Sequence, residues 1–502
     1  MRLSLIGKIF AVIIVLCGIA LFAADYQLSD LYDPLDPRLP GTKSMLLSRL
    51  EIASGAHQSL YPWPEDTSGV SGFNRHVAEF LGKPSRHLLN LRRDDFEFQG
   101  GFRLKLNWLG INEGKRDISN LQSSITAFGK ATIKGKIEIV EEVTAFRADS
   151  TRNLSDASST GEFLNDPMLF YPSSWQGPIA GDKNIFDFQT DRAFIKTNLW
   201  GIDIQTGRDR IQSKVGYRNG LLFSGLARPV DMFYRIDFRI WRFDLMALSG
   251  QLTASGKRYI SAKRLSVRFA HNLQAGVTEA VVFNDDPTAY INPLMPFFIT
   301  QRQRPNNDDN LIASVDVSYT PIKNLNLYFE FLDDDFIVFS GGASKYGFMA
   351  GLYKSQLFAE RLDFHLEYAQ VRKWTYTHVT HINNWQYEGQ PFGFWLGPDA
   401  DELYSELRYL FSPVSSMSLG FNYVRKGEGD LFHPYEDTFG DKTPKFPSGI
   451  VEKGAGVWVG STMHISIVRL DGRIGFRDLT HTGNHDNDNT NWWGHLYLSY
   501  GY

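Results

Sequence analysis

Trp492-Trp493-Gly494-His495-Leu496-Tyr497-Leu498-Ser499-Tyr500-Gly501-Tyr502 is the stretch whose reading decides the fold. Tyr502, Tyr500, Leu498, Leu496 and Trp492 share one parity, broken only by Gly494. Gly501, Ser499, Tyr497 and His495 share the other. Period-two alternation marks a strand with two unlike faces, and the stretch matches the roughly 9–11 residues a tilted strand needs to cross a bilayer. Ends of soluble domains usually fray. The last strand of an outer-membrane barrel instead carries an apolar stripe toward lipid, with aromatics near the interface. These residues alone leave one alternative, the closing strand of a soluble β-sandwich.

Working outward, the composition permits either architecture. Aromatics are 14% of 502 residues, glycines number 44, and charged residues make up 22%. Mean hydropathy is −0.26, too low for a helical membrane protein, and the aromatic content is too high for a disordered chain. A lipid-facing coat around a polar lumen accounts for both the aromatics and the charges.

The N-terminus narrows the choice. Arg2 and Lys8 precede an apolar run from Ile9 to Ala24, and polar sequence begins at Asp25. A charged start, an apolar middle and small residues at a cleavage point predict a signal peptide over residues 1–24. An uncleaved signal anchor is the rival. Cys17 is the single cysteine, so cleavage leaves a mature chain without thiols, which suits an oxidising compartment and excludes cysteine chemistry. Loss of Arg2 and Lys8 takes the net charge from −4 to −6. That mild acidity argues against a nucleic-acid partner.

Residues 25–92 are expected to form a partly helical periplasmic segment. Asp33-Pro34-Leu35-Asp36-Pro37 opens it with turns. Two helical spacings follow, one in Ser44–Ile52 and one through Phe73, Val77, Phe80 and Leu81. From Phe96 the period becomes two. Phe98, Gly100, Phe102, Leu104, Leu106 and Trp108 alternate with polar neighbours, as do Ile133–Ile139, Tyr234–Ile240, Leu311–Tyr319, Leu325–Phe331 and Phe364–Tyr368. No apolar run after residue 24 approaches the ~18 residues of a spanning helix, so anything crossing lipid here must be a closed barrel.

The expected fold is therefore all-β, a transmembrane antiparallel β-barrel over residues 93–502. About 410 residues at roughly 23 per strand and connection give about 18 strands, with 16 the next choice. Thr320-Pro321-Ile322-Lys323-Asn324 reads as a periplasmic turn. Asp149–Gln189, Asp430–Lys453 and Thr480–Asn491 read as external loops. The last strand is expected to pair with the first, near Phe96–Trp108, with Tyr502, Tyr500, Leu498 and Leu496 toward lipid.

Charged residues on the inward parity are the clearest chemical feature: Arg235, Asp237, Arg239, Lys263, Arg264 and Arg268, with Asp203, Asp316 and Glu330 around the wall. They form either mutual ion pairs or a track for an anionic polymer, since arginine binds carboxylates bidentately. Glu279 is ambiguous, because it shares parity with Val277 and Val281. Trp374-Thr375-Tyr376-Thr377-His378 with Trp385 offers aromatic platforms for sugars, or an interface girdle. Asp333-Asp334-Asp335 and Thr480–Asn491, with His481, His485, Asp486 and Asp488, read as solvated loop ends, and no metal is expected. His378 and His381 are available for hydrolysis, but no spacing singles out a nucleophile.

An ordered set in the middle of the chain resembles a known family. It includes Gly207-Arg208-Asp209-Arg210, Leu221-Leu222-Phe223-Ser224-Gly225-Leu226-Ala227-Arg228-Pro229, Tyr290-Ile291-Asn292-Pro293, and Asn310 before a strand. It continues through Tyr328–Asp334, Glu367-Tyr368, Tyr376-Thr377-His378, Gly389-Gln390-Pro391-Phe392-Gly393 and Leu396–Asp401. Together these are similar to the capsule-assembly Wzi family of outer-membrane proteins, over about residues 200–410. One departure stands out: Ser213–Gly220 occupies the place of a Trp-Gly-Pro-Gly-like turn. The resemblance implies an 18-stranded barrel with a small periplasmic helical part, closed to free passage by loops and holding capsular polysaccharide at the surface.

The expectation is a non-catalytic outer-membrane protein without cofactor, a monomer, binding capsular or exopolysaccharide. Its further partners would be outer-membrane lipid and, through the C-terminal strand, the barrel-assembly machinery. Arg208, Arg210, Arg235, Arg239, Arg264, Glu330, Trp374, Tyr376, His378 and Trp385 are the expected carbohydrate contacts. A polysaccharide-export or substrate-specific porin is the first alternative, and a barrel lipid hydrolase the second.

Overall fold

Alternating apolar and polar side chains build strands here, and tilt and twist close them into one wall. The structure is a computed structural model. It describes residues 46, 49–50, 52–53, 72–81, 88–112, 117–150, 184–213, 215–252, 257–284, 286–304, 308–334, 343–387, 389–435, 442–465, 468–481, 484–485 and 488–501. The expected leader over residues 1–24, and Tyr502, lie outside them.

The wall has 18 antiparallel strands. They are β1 (Phe96–Asn112), β2 (Asp117–Ile133), β3 (Ile137–Ser150), β4 (Asn184–Leu199), β5 (Ile202–Asp209) and β6 (Val230–Ile240). Next come β7 (Phe243–Gln251), β8 (Arg258–Ala270), β9 (Leu273–Asn284), β10 (Asn310–Ile322), β11 (Leu325–Asp334) and β12 (Tyr346–Lys354). The last six are β13 (Leu362–Val371), β14 (Ala400–Ser412), β15 (Ser415–Lys426), β16 (Glu452–Ile465), β17 (Val468–Thr480) and β18 (Asn489–Gly501). Each pairs with the next, and β18 returns to β1 with Leu104 opposite Tyr500 and Leu106 opposite Leu498. Closure leaves no wall edge for lipid to satisfy.

The closing strand divides its residues as its parity predicts. Trp492 and Tyr500 are exposed outward, whereas His495, Tyr497 and Ser499 are buried inward. His495 Nε2 lies 2.6 Å from Asn107 Oδ1 across the seam. Outward apolar residues on other strands, among them Phe102, Leu104, Leu419 and Val457, are likewise exposed for lipid.

Short turns gather at the periplasmic end and long connections at the other, as the turn at Lys323-Asn324 and the gap between β15 and β16 illustrate. One expected strand is two. Ile133–Ile139 contains a turn, with Lys134 at φ 52° and Gly135 at φ 63°, because the chain must reverse where left-handed backbone is cheapest. A further strand, Leu89–Arg93, pairs with Phe96–Gly100, the part of β1 that β18 does not reach.

The second expected helix is α1 (Gly72–Leu81). Leu46, Arg49, Leu50, Ile52 and Ala53 are also helical and buried. This segment packs on the barrel mouth at the short-turn end, where Asn324 N donates to Ile52 O at 2.8 Å. Arg49 reaches into it, ion-paired with Asp363 and donating to Asn74 Oδ1 at 2.8 Å, while Phe73 lies 4.9 Å under the Arg361 guanidinium.

One sequence-based expectation about the wall changes, and one open position is decided. Lys263 and Arg264 cannot both face inward, because successive strand residues point to opposite faces. Lys263 shares the outward parity of exposed Leu265, and Arg264 points into the lumen. Glu279, opposite Lys263 in the ladder, lies outward with Val277.

Candidate functional site

Two external connections fold back into the barrel. Residues 210–229, between β5 and β6, carry a short ladder of Gln212–Ser213 against Phe223–Ser224. Residues 372–399, between β13 and β14, carry another of Gln386–Tyr387 against Gln390–Pro391. The two loops are joined to each other. Ser224 N donates to Phe392 O at 2.7 Å, and Trp385 Nε1 donates to Leu222 O at 3.0 Å. The Tyr376 hydroxyl donates to Leu221 O and accepts Phe394 N at 3.2 Å. Burial pushes the Tyr376 phenol well above its ordinary range, so it stays an O–H donor.

Between the loops and the wall lies an apolar core. Leu221, Phe223, Trp385, Phe392 and Phe394 pack against inward Leu248, Ile260, Ala262, Ala280, Val282, Ile312 and Leu332. Phe223 and Trp385 have ring centroids 5.4 Å apart, as do Trp385 and Phe392. The side of the lumen that faces β6 to β15 is thus filled as a protein interior is filled. Gly393 permits the closest approach: a Cβ there would overlap the carbonyl oxygen of Leu221.

Three wall carboxylates grip the first loop. Glu330 on β11 accepts Leu221 N at 3.0 Å and Leu222 N at 3.2 Å. Glu367 on β13 accepts Tyr217 N at 2.9 Å, Arg218 N at 3.1 Å and Asn219 N at 2.6 Å. It also accepts the Tyr328 hydroxyl at 2.6 Å. Glu402 on β14 takes Arg218 Nη2 at 2.8 Å, Asn219 Nδ2 at 3.1 Å and Trp395 Nε1 at 3.1 Å. A carboxylate removed from water needs several strong donors, and successive backbone N–H groups supply them here.

The second loop is held in the same way. Asp334 accepts the backbone N–H of Tyr376 at 2.7 Å and steadies that residue at φ 72°. Arg258 Nη2 donates to Asn384 O at 2.6 Å. Asp399, at φ 57°, accepts the Ser448 hydroxyl at 2.6 Å, linking residues 372–399 to the next external connection.

Below the plug, toward the periplasm, a cavity of about 390 Å³ opens between the Asn198–Gly201 turn and Gln212–Ser213. Its polar lining includes Asp203, Arg235, Asp237, Arg239, Asp244 and Arg264. Their charges are mutually matched: Arg235 with Asp237 at 2.8 Å, Arg264 with Asp316 at 2.8 Å, and Arg239 with Asp244. Both signs are represented, so this lumen has no single-sign field.

The ten expected contact residues do not converge. Arg235, Arg239 and Arg264 share the cavity. Glu330, Tyr376 and Trp385 are buried in the plug and hold it. Arg210 donates to Ala227 O at 2.7 Å, inside the first loop, and Arg208 pairs with Asp231 at 3.0 Å. Trp374 packs edge-on against Tyr435 at 5.7 Å, and His378 Nδ1 lies 3.3 Å from Asp308. Sequence reasoning missed Glu402 and the gripping role of Glu367. For Glu367 the signal was an inward acid followed along the same parity by small apolar residues, Ala369 and Val371; Glu402 is followed by Tyr404, Glu406 and Arg408 and carried no such signal.

No curated protein matches the chain. Among solved structures it is similar to Wzi of Escherichia coli, an outer-membrane protein involved in group 1 capsule assembly and described as a carbohydrate-binding β-barrel. The TM-score is 0.53 at 13% identity, covering 94% of this chain and 99% of that one. OprD of Pseudomonas aeruginosa gives a TM-score of 0.46 at 9% identity, covering 81% and 93%. OccAB4 of Acinetobacter baumannii gives 0.43 at 10%, covering 82% and 99%. The model of the family described as capsule assembly protein Wzi matches residues 180–445, more than half of the chain and the whole span of both plug loops. The protein therefore belongs to the Wzi capsule assembly family.

Proposed function

We propose that the protein binds capsular or related surface polysaccharide with its external loops, as a non-catalytic attachment and assembly protein, and conducts no solute. The observation that carries this reading is the plug. Among the described residues, a packed apolar core against β6 to β15, with its first loop gripped by Glu330, Glu367 and Glu402, occupies the lumen where a polymer would pass. Binding then falls to the crest of the loops. Exposed Phe432, beside His433 and Asp430, offers a sugar an apolar face with hydrogen-bonding neighbours. Arg235, Arg239 and Arg264 would serve only a glycan end that reaches the cavity beneath. The experiment combines a glycan array on the refolded barrel with planar-bilayer conductance. Retention of an acidic or neutral surface glycan, weakened by Phe432→Ala, together with no steady current, is the expected result. A large steady current without glycan binding overturns the reading in favour of a porin.

A further inference from the structure

One patch of the outer wall breaks the rule that lipid-facing positions are apolar. Lys263 and Glu279 face each other on outward positions of β8 and β9. One rung higher, Ser249, Ser261, Val281 and Leu311 are outward by parity yet fully buried. One rung lower, Leu245, Leu265, Val277 and Val315 are 42%, 40%, 53% and 47% exposed. A cover begins between those rungs.

The cover is the connection between β9 and β10, residues 286–304, which folds down the outside of the barrel. Its helix α2 (Phe297–Gln303) starts against Glu279, whose carboxylate accepts Phe297 N and Phe298 N, each at 2.7 Å. Lys263 donates to Met295 O and lies 3.8 Å over the Phe297 ring. Phe297, Tyr290, Phe283 and Tyr259 form a chain of ring contacts at 5.3, 4.9 and 5.6 Å. At its upper end Gln301 donates to Asp309 O at 2.9 Å, and the Tyr290 hydroxyl to Asp309 Oδ2 at 2.6 Å.

The level of the flap follows from strand geometry. A residue of a strand tilted by about 40° rises roughly 2.5 Å through the membrane. Glu279 stands six residues above the start of β9 at Leu273, so the deep end of the flap lies roughly 15 Å above the periplasmic turns, inside a lipid band ~25 Å tall. On β16, Val457 stands eight residues from the periplasmic end at Ile465 and is still 48% exposed on the lipid face. The flap's outer side fits that layer. Ile291, Leu294 and Ile299 are 42%, 89% and 43% exposed. The exposed cation Arg302 sits at the upper end of α2, toward the headgroups.

We propose that residues 286–304 are an intramembrane flap, latched by Lys263 and Glu279, whose outer face is docked in the acyl chains of the outer leaflet. The occupant is lipid, because Ile291, Leu294 and Ile299 continue the lipid-facing rung of Leu245, Leu265, Val277 and Val315 upward, while the exposed Asn292 spends its carbonyl oxygen on Leu294 N at 3.0 Å and the exposed Gln303 lies beside Arg302 at the upper end.

The test uses the full chain with Cys17→Ser, refolded in dioleoylphosphatidylcholine vesicles and nitroxide-labelled at Ile291→Cys, Leu294→Cys or Ile299→Cys. Leu265→Cys marks the lipid-facing wall, and Phe432→Cys marks the water-exposed crest. Collision with oxygen matching the Leu265 label, and loss of the nickel-chelate contact seen at Phe432, is the expected result. A label at Leu294 that contacts the chelate as Phe432 does overturns the proposal. So does spin–spin broadening at Leu294 that disappears on dilution with unlabelled protein, which would make the occupant a second copy of the chain.

Discussion

The Glu367 carboxylate receives the backbone N–H of Asn219 at 2.6 Å across 148 residues of sequence. The same group takes the N–H of Tyr217 and Arg218, so one wall side chain fixes three consecutive residues of the plug. Glu367→Ala strands four donors, the three backbone N–H groups and the Tyr328 hydroxyl, each costing about 1–3 kcal/mol when unmatched. The expected outcome is a plug that opens: steady current in planar bilayers and tryptic cleavage after Arg218, both absent in the parent. Glu367→Gln keeps an acceptor oxygen and falls between. Silence and protease resistance in the alanine variant would show that the loop is held by its apolar packing alone.

Gly393 tests that packing. Its missing Cβ leaves room for the Leu221 carbonyl, which also accepts the Tyr376 hydroxyl. Gly393→Ala pushes the two plug loops apart at their closest contact. The barrel wall does not depend on this contact, so heat-modifiable migration stays normal while the loops become protease-sensitive. A substitution without effect on protease sensitivity would mean that residues 372–399 and 210–229 separate at no cost.

The wall was legible because closure demands strict alternation, and Phe102, Leu104 and Leu106 against Arg103 and Lys105 display it without interruption. Strand number followed from length. The inner site was less legible for a physical reason. Period-two reading assigns a face, but it does not distinguish a wetted inward position from one packed by a returning loop. Glu330 was singled out as a ligand contact from its inward charge, yet its partners are Leu221 N and Leu222 N, which belong to a remote loop with no periodic signal. The switch along β13 from inward Asp363, His365 and Glu367 to Ala369 and Val371 was the available clue that polar filling gives way to a core. Lys263 failed differently, and Glu279 stayed open between the two faces. Their outward charge contradicts the lipid face until the flap that covers them is known.

The lumen ion pairs lend themselves to a double-mutant cycle. Asp316 has a side chain 5% exposed and depends on Arg264. Arg264→Ala leaves that buried charge without its partner and is expected to cost about 3–5 kcal/mol. Arg264→Ala with Asp316→Asn removes both charges and recovers most of the loss. Thermal unfolding of the detergent-solubilised barrel, followed by far-ultraviolet circular dichroism, provides the measurement. Additive losses would show that solvent in the cavity screens the pair.

Glu279→Ala removes the acceptor for Phe297 N and Phe298 N together with the charge opposite Lys263. The flap is expected to lose about 2 kcal/mol or more of docking, and the lysine is left without its counter-charge on the lipid face. In intact vesicles, trypsin added outside should then cut after Arg302 or Arg304 in the variant and not in the parent. An uncut variant would place the latch elsewhere, in the ring contacts of Tyr290 and Phe297.

The seam of the barrel sets the last expectation. Tyr500 stands opposite Leu104 and Gly501 opposite Arg103, the lowest rungs joining β18 to β1. Deletion of Tyr500–Tyr502 withdraws these rungs and the exposed aromatic ring of Tyr500 from the periplasmic interface. Unpaired backbone of β1 would then face lipid, where each unsatisfied group costs several kcal/mol. The truncated chain is therefore expected to fail membrane assembly, appearing as a protease-sensitive species whose gel migration does not change on heating. Tyr500→Phe, which keeps the ring and the ladder, is expected to assemble normally. A heat-modifiable, protease-resistant barrel from the truncated chain would mean that the rungs from Leu106–Leu498 upward suffice to close the wall.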